Sequence, residues 1–200
     1  MVFKLMLVTD SQMLDNSNLV STISDAVKGG LDAVQIREKE MSYKDLFNLT
    51  YEVKRKLGDQ VSIFINGNPK IARELSIGLH LPAYYKNHYK LDGLIWGRSV
   101  HSINEVIKAN QEGASYVILG TIFKTASKPN VMESGTNLIK EVLPVLGDMY
   151  LIAIGGINLL NVREVIEAGA TGVAVRQSIL ESKDPGRTCE KFLELINKKE

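Results

Sequence analysis

Apolar residues in this chain come in short, nearly continuous runs, and amphipathic stretches separate them. The runs rich in Val, Ile and Leu cover residues 4–10 (KLMLVTD), 33–38 (AVQIRE), 62–67 (SIFING), 78–81 (GLHL), 94–99 (LIWGRS), 116–121 (YVILGT), 151–156 (LIAIGG) and 172–177 (GVAVRQ). A strand that is apolar on both faces suits a parallel sheet covered by helices. Between most runs the apolar positions recur at helical spacing. Leu19, Ile23, Ala26 and Val27 share one face, and Leu46, Leu49 and Val53 share another.

Helix boundaries are written in polar residues and glycines. Asn68 before Pro69 reads as an N-cap followed by Pro at the first helical position. Ser102 with Glu105 has the polarity of a capping box, and Asn161 with Glu164 repeats it. The spacing Gly-x-x-x-Val occurs at Gly30–Val34, Gly113–Val117 and Gly169–Val173, each time after a helical pattern. Glycine suits the left-handed position just past a helix end, and Val then opens a strand. The joint is thus a repeated helix-to-strand connection. Between Pro82 and Asp92 the helical pattern is weak, so the fourth connection is expected to be short or irregular.

Eight strand-and-helix units in 200 residues predict an α/β protein, a single (β/α)8 TIM barrel occupying 1–200 as one domain. The rival is an open doubly wound sheet. It would usually carry a Gly-rich dinucleotide loop after the first strand, and none is found there. No linker or low-complexity segment interrupts the pattern.

Charge narrows the functional classes. With 24 basic and 23 acidic residues the net charge is +1, so no bulk field calls for nucleic acid or a membrane surface. Any basic patch must be local. The lone cysteine, Cys189, excludes an intrachain disulfide and a cysteine zinc site, and its place in a C-terminal helical pattern suits a packing thiol. No apolar run approaches the ~20 residues of a membrane helix, and the start carries no cleavage-site pattern. A cytoplasmic, reduced protein is expected.

In a barrel, ligands sit where the C-terminal strand ends converge. Those ends carry Arg37 and Lys39 after the second run, Asn66 after the third, and Arg98 and Ser99 after the fifth. Thr125, Ser127 and Lys128 follow the sixth, Gly155 and Gly156 the seventh, and Arg176 and Gln177 the eighth. Acids there are few, chiefly Asp10 and Glu38, and Glu38 is expected to pair with a rim cation. Cations and hydroxyls gathered on one rim predict an anion site, in first place for a phosphate ester. IAIGGI leaves backbone N–H groups unshielded, and VAVRQSIL starts a short helical segment. Together they fit a phosphate site built by the last two βα loops.

VQIREK, IFING, GLHLP, GRSVHS, GASYVILGTIFKTASKP, LIAIGGI and GVAVRQSIL occur here in the order of the thiamine-phosphate synthase and TenI family. The chain resembles that family over nearly its whole length. The resemblance implies a TIM barrel and small phosphorylated ligands of thiamine biosynthesis, a hydroxyethylthiazole phosphate and, in the synthase, an aminopyrimidine diphosphate. It implies diphosphate contacts for Gln35, Arg37, Lys39 and Lys128. It matches Asn66, Ser99, Thr125 and Ser127 to family positions, and it places the thiazole phosphate at Gly156 and the backbone near Gln177. Departures are equally plain. The Mg2+ ligands of the synthase are two aspartates, and this chain has Gly67-Asn68 and Tyr85 at those places, so no metal ligand is assigned. The TenI tautomerase carries a His after the strand-six glycine, where this chain has Thr121 after Gly120. Thr121, Lys128 and His80 are the candidate catalytic groups. His80 also fits a satisfied structural histidine, and His101 a loop or capping residue.

The resulting expectation is a TenI-like enzyme acting on thiazole phosphate. The alternatives are a thiamine-phosphate synthase with an altered metal site and a non-catalytic phosphate-ligand binder with a regulatory role. Exposed Tyr84, Tyr85 and Tyr89 fit either a lid or a homodimer interface.

Overall fold

The computed structural model describes residues 3–14, 18–85, 91, 93–125 and 132–198. Eight parallel strands close into a barrel: β1 Leu5–Val8, β2 Ala33–Ile36, β3 Ser62–Asn66, β4 Gly78–Leu81, β5 Trp96–Val100, β6 Tyr116–Leu119, β7 Tyr150–Ile154 and β8 Gly172–Val175. Each strand pairs with the next, and β8 returns to β1 with Met6 opposite Ala174. The helices are α1 Leu19–Lys28, α2 Tyr43–Leu57, α3 Pro69–Glu74, α4 Ile103–Gln111, α5 Asn137–Val142, α6 Val162–Glu167, α7 Gln177–Leu180 and α8 Pro185–Asn197. The β4–β5 crossover has no helix among its described residues, and two helices follow β8.

Most strands stop one or two residues before the end of their apolar run. Thr9 and Asp10, Arg37 and Glu38, and Gly120 and Thr121 therefore stand in loops at the mouth. The 94–99 run shifts the other way. Leu94 donates its N–H to Leu91 in a turn, so the strand starts at Trp96 and includes Val100.

Alternation along each strand separates two cores. Leu5, Leu7, Val34, Ile36, Val117 and Leu119 face outward and pack under the helices. Met6, Val8, Ala33, Phe64, Tyr116, Ile118, Ile152 and Ala174 fill the interior. At the N-terminal end the interior is a plug of rings. Phe3, Phe64 and Tyr116 meet edge to face or tilted, with centroids 5.1–5.4 Å apart. Two strand glycines make room for them. A Cβ on Gly78 would lie 2.3 Å from the Phe64 ring, and one on Gly97 2.4 Å from the Tyr116 ring.

The helix starts follow their sequence signals with two exceptions. Asn68 accepts from the Ile71 N–H, and Ser102 accepts from the Glu105 N–H. Glu105, however, accepts from the His101 N–H rather than completing a box with Ser102. Asn161 precedes α6 without a side-chain cap, because its amide is turned back toward the loop after β7. Gly30, Gly113 and Gly169 each carry a positive φ just past a helix end, as their repeat predicts. Cys189 is fully buried in α8, and burial pushes its thiol up to about 12.

Candidate active site

Above the ring plug, the inward positions turn polar. Phe64 is followed by Asn66, Gly78 by His80 and Gly97 by Ser99, each two residues further along its strand, and Gln35 by Arg37 just past the end of β2. They floor a cavity of about 780 Å3 at the C-terminal end of the barrel. The floor is knit together. Asn66 Nδ2 donates to Gln35 Oε1 at 3.1 Å, His80 Nε2 lies 2.8 Å from Ser99 Oγ, and His80 Nδ1 lies 3.2 Å from the Tyr116 hydroxyl. Burial, and then the charges of Arg37 and Arg98, pull the His80 imidazole down from 6.5 to about 3. His80 is thus a neutral floor element, satisfied on both nitrogens. Burial also holds the Tyr116 phenol well above its usual value, so it keeps its proton.

The rim cations differ in what they are free to do. Arg176 pairs with Asp10 at 2.8 Å. Among the described residues Glu38 pairs with no rim cation, contrary to expectation. It accepts from Thr9 Oγ1 at 2.5 Å, Ser11 N at 2.9 Å and Ser11 Oγ at 2.7 Å. The carboxylate therefore staples the loop after β1, and Thr9 Oγ1 in turn accepts from the Arg37 N–H. The Arg37 and Lys39 side chains line the cavity with no hydrogen bond or ion pair to any described residue. The Arg37 guanidinium is lowered from its ordinary value by burial and then by Arg176, only partly offset by Asp10. It remains charged. A half-buried cation with a like-charged neighbour is stabilised by an incoming anion.

Arg98 is not a mouth residue. It follows Gly97 on the outward side, where it pairs with Glu112 just past α4 and donates to the Tyr85 carbonyl at 2.8 Å. Odd and even positions of one strand explain the split, since Ser99 lines the cavity and Arg98 is buried behind the wall.

The opposite wall is backbone. Gly155 and Gly156 follow β7 with φ of +110° and +62°. A Cβ on Gly155 would meet Thr121 Cγ2 at 2.6 Å, and one on Gly156 would meet the Lys124 carbonyl at 2.5 Å, so the β6 and β7 loops approach as only glycine allows. The Gly156 carbonyl accepts from both Asn158 Nδ2 at 3.3 Å and Asn161 Nδ2 at 3.0 Å. Asn161 Oδ1 also accepts from the Asn158 N–H at 2.8 Å. With the carbonyl held toward α6, the N–H of the same trans peptide, that of Ile157, points the other way. Ile157 lines the cavity. Across from it stand Gln177 and Ser178, the first residues of α7, whose N–H groups have no intrahelical acceptor. Ser178 Oγ donates to the Ile157 carbonyl at 3.1 Å and fixes the two loops together.

Gln35, Arg37, Lys39, Asn66, His80, Ser99, Thr121, Thr125, Gly155, Gly156, Arg176 and Gln177 all line this one cavity. Ser127, Lys128 and Tyr89 lie outside the described residues. Thr121 stands at the wall, nearly buried. Sequence reading missed His101, Asn158, Asn161 and Tyr116 as site residues. For His101 a signal existed, because it continues the inward series Gly97, Ser99. Its Nδ1 meets the Gly120 carbonyl, which can only accept, so Nδ1 carries a proton and the neutral ring presents its lone pair at Nε2. No group of three or more metal-ligating His, Cys, Asp or Glu exists among the described residues. Gly67, Asn68 and Tyr85 supply no carboxylate where the resemblance implies Mg2+ ligands, so the described residues do not fit that ion.

A family profile described as thiamine monophosphate synthase (TMP-TENI) matches residues 5–179. The thiamine-phosphate synthase of Clostridium novyi (strain NT) is 34% identical over 190 residues, covering 91% of this chain and 93% of the relative. That of Clostridium tetani (strain Massachusetts / E88) is 31% identical over 201 residues, covering 96% and 95%. Among solved structures, a thiamine phosphate pyrophosphorylase from Pyrococcus furiosus superposes with a TM-score of 0.87 at 24% identity, over 97% of this chain and 95% of that one. A 3-hexulose-6-phosphate synthase reaches 0.75 at 12% identity, over 96% and 99%. At these identities the structural likenesses speak to fold alone.

Proposed function

Because this chain belongs to the thiamine monophosphate synthase (TMP-TENI) family, we propose that it is a TenI-like enzyme of thiamine biosynthesis whose barrel mouth seats the phosphate of a thiazole phosphate. The observation that carries this reading is the Gly156 carbonyl, clasped by Asn158 and Asn161, beside Ile157 and the first residues of α7 on one cavity wall. Fixed N–H groups converging from two loops suit a phosphoryl group and leave its ester arm to reach the floor. The thiazole ring then lies over Ser99 and Asn66.

The finer reading is thiazole tautomerisation, which moves one proton. Thr121 cannot take it, because a hydroxyl is no base near neutral pH. His80 is a poor base for the same step, held neutral with both nitrogens engaged. His101 is the better group. Its Nε2 has no partner among the described residues, and its ring sits against the Gly120 carbonyl, beside the position where the resemblance implies an imidazole. Here His101 Nε2 takes the proton from one position of the thiazole system and returns it to another, Gly120 holds its tautomer, and the backbone cradle anchors the phosphate.

A second reading is supported by two observations. Arg37 and Lys39 form a second seat for negative charge across the mouth from the glycine loop, and the curated relatives bear the synthase name. Two seats suit a diphosphate and a monophosphate held together.

The experiment offers the purified protein the thiazole carboxylate phosphate tautomer and, separately, thiazole phosphate with aminopyrimidine diphosphate. Conversion of the first is expected. His101→Gln is expected to slow it by about a hundredfold or more while phosphate binding is retained. Thiamine phosphate from the second mixture alone would favour the synthase reading. Thiazole phosphate binding without product in either would leave a regulatory binder, and a flat titration would overturn all three.

A further inference from the structure

The interior of the barrel holds a chain of polar groups that crosses three strands, and its proton order can be deduced. It begins at Tyr116 on β6, whose ring belongs to the apolar plug with Phe3 and Phe64. Its hydroxyl is the only polar atom that this ring offers, and among the described residues its one partner is His80 Nδ1 on β4, at 3.2 Å. His80 Nε2 continues to Ser99 Oγ on β5, at 2.8 Å. Tyr116 is 1% exposed and His80 1% exposed, so water offers neither an alternative.

Two orders are conceivable. In one, Tyr116 donates to Nδ1, Nε2–H donates to Ser99, and the Ser99 proton faces the cavity. In the other, Ser99 donates to Nε2, Nδ1–H donates to the phenol oxygen, and the phenol proton is left buried without an acceptor. An unsatisfied buried donor carries its full desolvation penalty, which favours the first order by a factor of about 5 to 150. We infer that Tyr116 is a positioning residue that, through neutral His80, sets Ser99 as a hydrogen-bond donor into the barrel mouth. The ligand atom that meets Ser99 is therefore an acceptor, such as an unprotonated ring nitrogen or an anionic oxygen, and Ser99 does not act as a base. This deepens the proposed reading of the mouth and rests on it for the identity of the ligand, though the proton order itself does not.

The groups around His80 agree with a fixed neutral ring. Arg37 and Arg98 repel a second proton, while Asn66, opposite it on β3, is taken up by Gln35. The test is nitrogen-15 NMR of the full chain labelled at histidine, which holds three such residues. His80 is expected predominantly as the Nε2–H tautomer, unchanged as pH is varied across the neutral range. In Tyr116→Phe, which keeps the ring packing, that predominance is expected to give way to a mixture. An Nδ1–H ring in the wild type, a ring that titrates near neutrality, or an unchanged tautomer in Tyr116→Phe would each overturn the inference. The wild-type spectrum decides the order even where the variant folds poorly. Inorganic phosphate added to the same samples separates the two levels, since its failure to shift any mouth signal would count against the phosphate reading and leave the tautomer result standing.

Discussion

Arg37 and Arg176 look alike in the sequence, each a cation just past a strand end, but they stand in different circumstances. Arg176 is neutralised by Asp10, whereas the half-buried Arg37 side chain has no described partner. The difference predicts separable effects. Arg37→Ala removes a charge-assisted contact worth about 1.5–3 kcal/mol, so affinity for a phosphorylated ligand should fall tenfold or more by calorimetry. Its melting temperature should hardly move, because no hydrogen bond or ion pair among the described residues depends on that guanidinium. An equal loss of stability and affinity would mean that Arg37 is structural. Glu38 shows the limit of reading such tips one by one. Its charge stood out in the sequence as a partner for a cation, but Thr9 and Ser11 on a neighbouring loop claim it, and contacts between loops leave no local signal.

At the scale of elements, the inside and outside of each strand are set by alternation. That alternation was legible for Ser99 and Asn66 and overlooked for Arg98, which lies one position out of phase and so packs behind the wall. The eight strands were readable because their runs are apolar on both faces, and the exits at Gly30, Gly113 and Gly169 because glycine takes a positive φ without strain. What could not be read is the pairing of large and small residues across the barrel. Gly97 is a strand glycine with no local reason to exist until the Tyr116 ring is seen filling the space beside it. Gly97→Ala forces a methyl group into that ring, whose position is fixed by Phe3 and Phe64. The expected loss is about 1–3 kcal/mol in urea denaturation, with a displaced Tyr116 hydroxyl as the local consequence. A variant as stable as the wild type would show that the plug is loosely packed. Asn161 was likewise misread as a helix cap. The capping signal is the same whether an asparagine faces its own helix or turns back to clasp a loop, and here it clasps Gly156.

For the whole molecule, closure of the sheet is what brings together residues far apart in sequence. Arg37 on the second loop and Gly156 on the seventh share one cavity because β8 returns to β1. With a net charge of +1 the protein has no general attraction for anions, so any phosphate affinity must come from that local assembly. No helix among the described residues is long and apolar enough to cross a membrane. The most direct measurement of the central claim is a titration of nitrogen-15-labelled protein with hydroxyethylthiazole phosphate, followed at the backbone amides. Saturable shifts concentrated at Gly156, Ile157, Gln177 and Ser178 are the predicted result. Shifts that spare these amides, or no saturable shift at all, would contradict it.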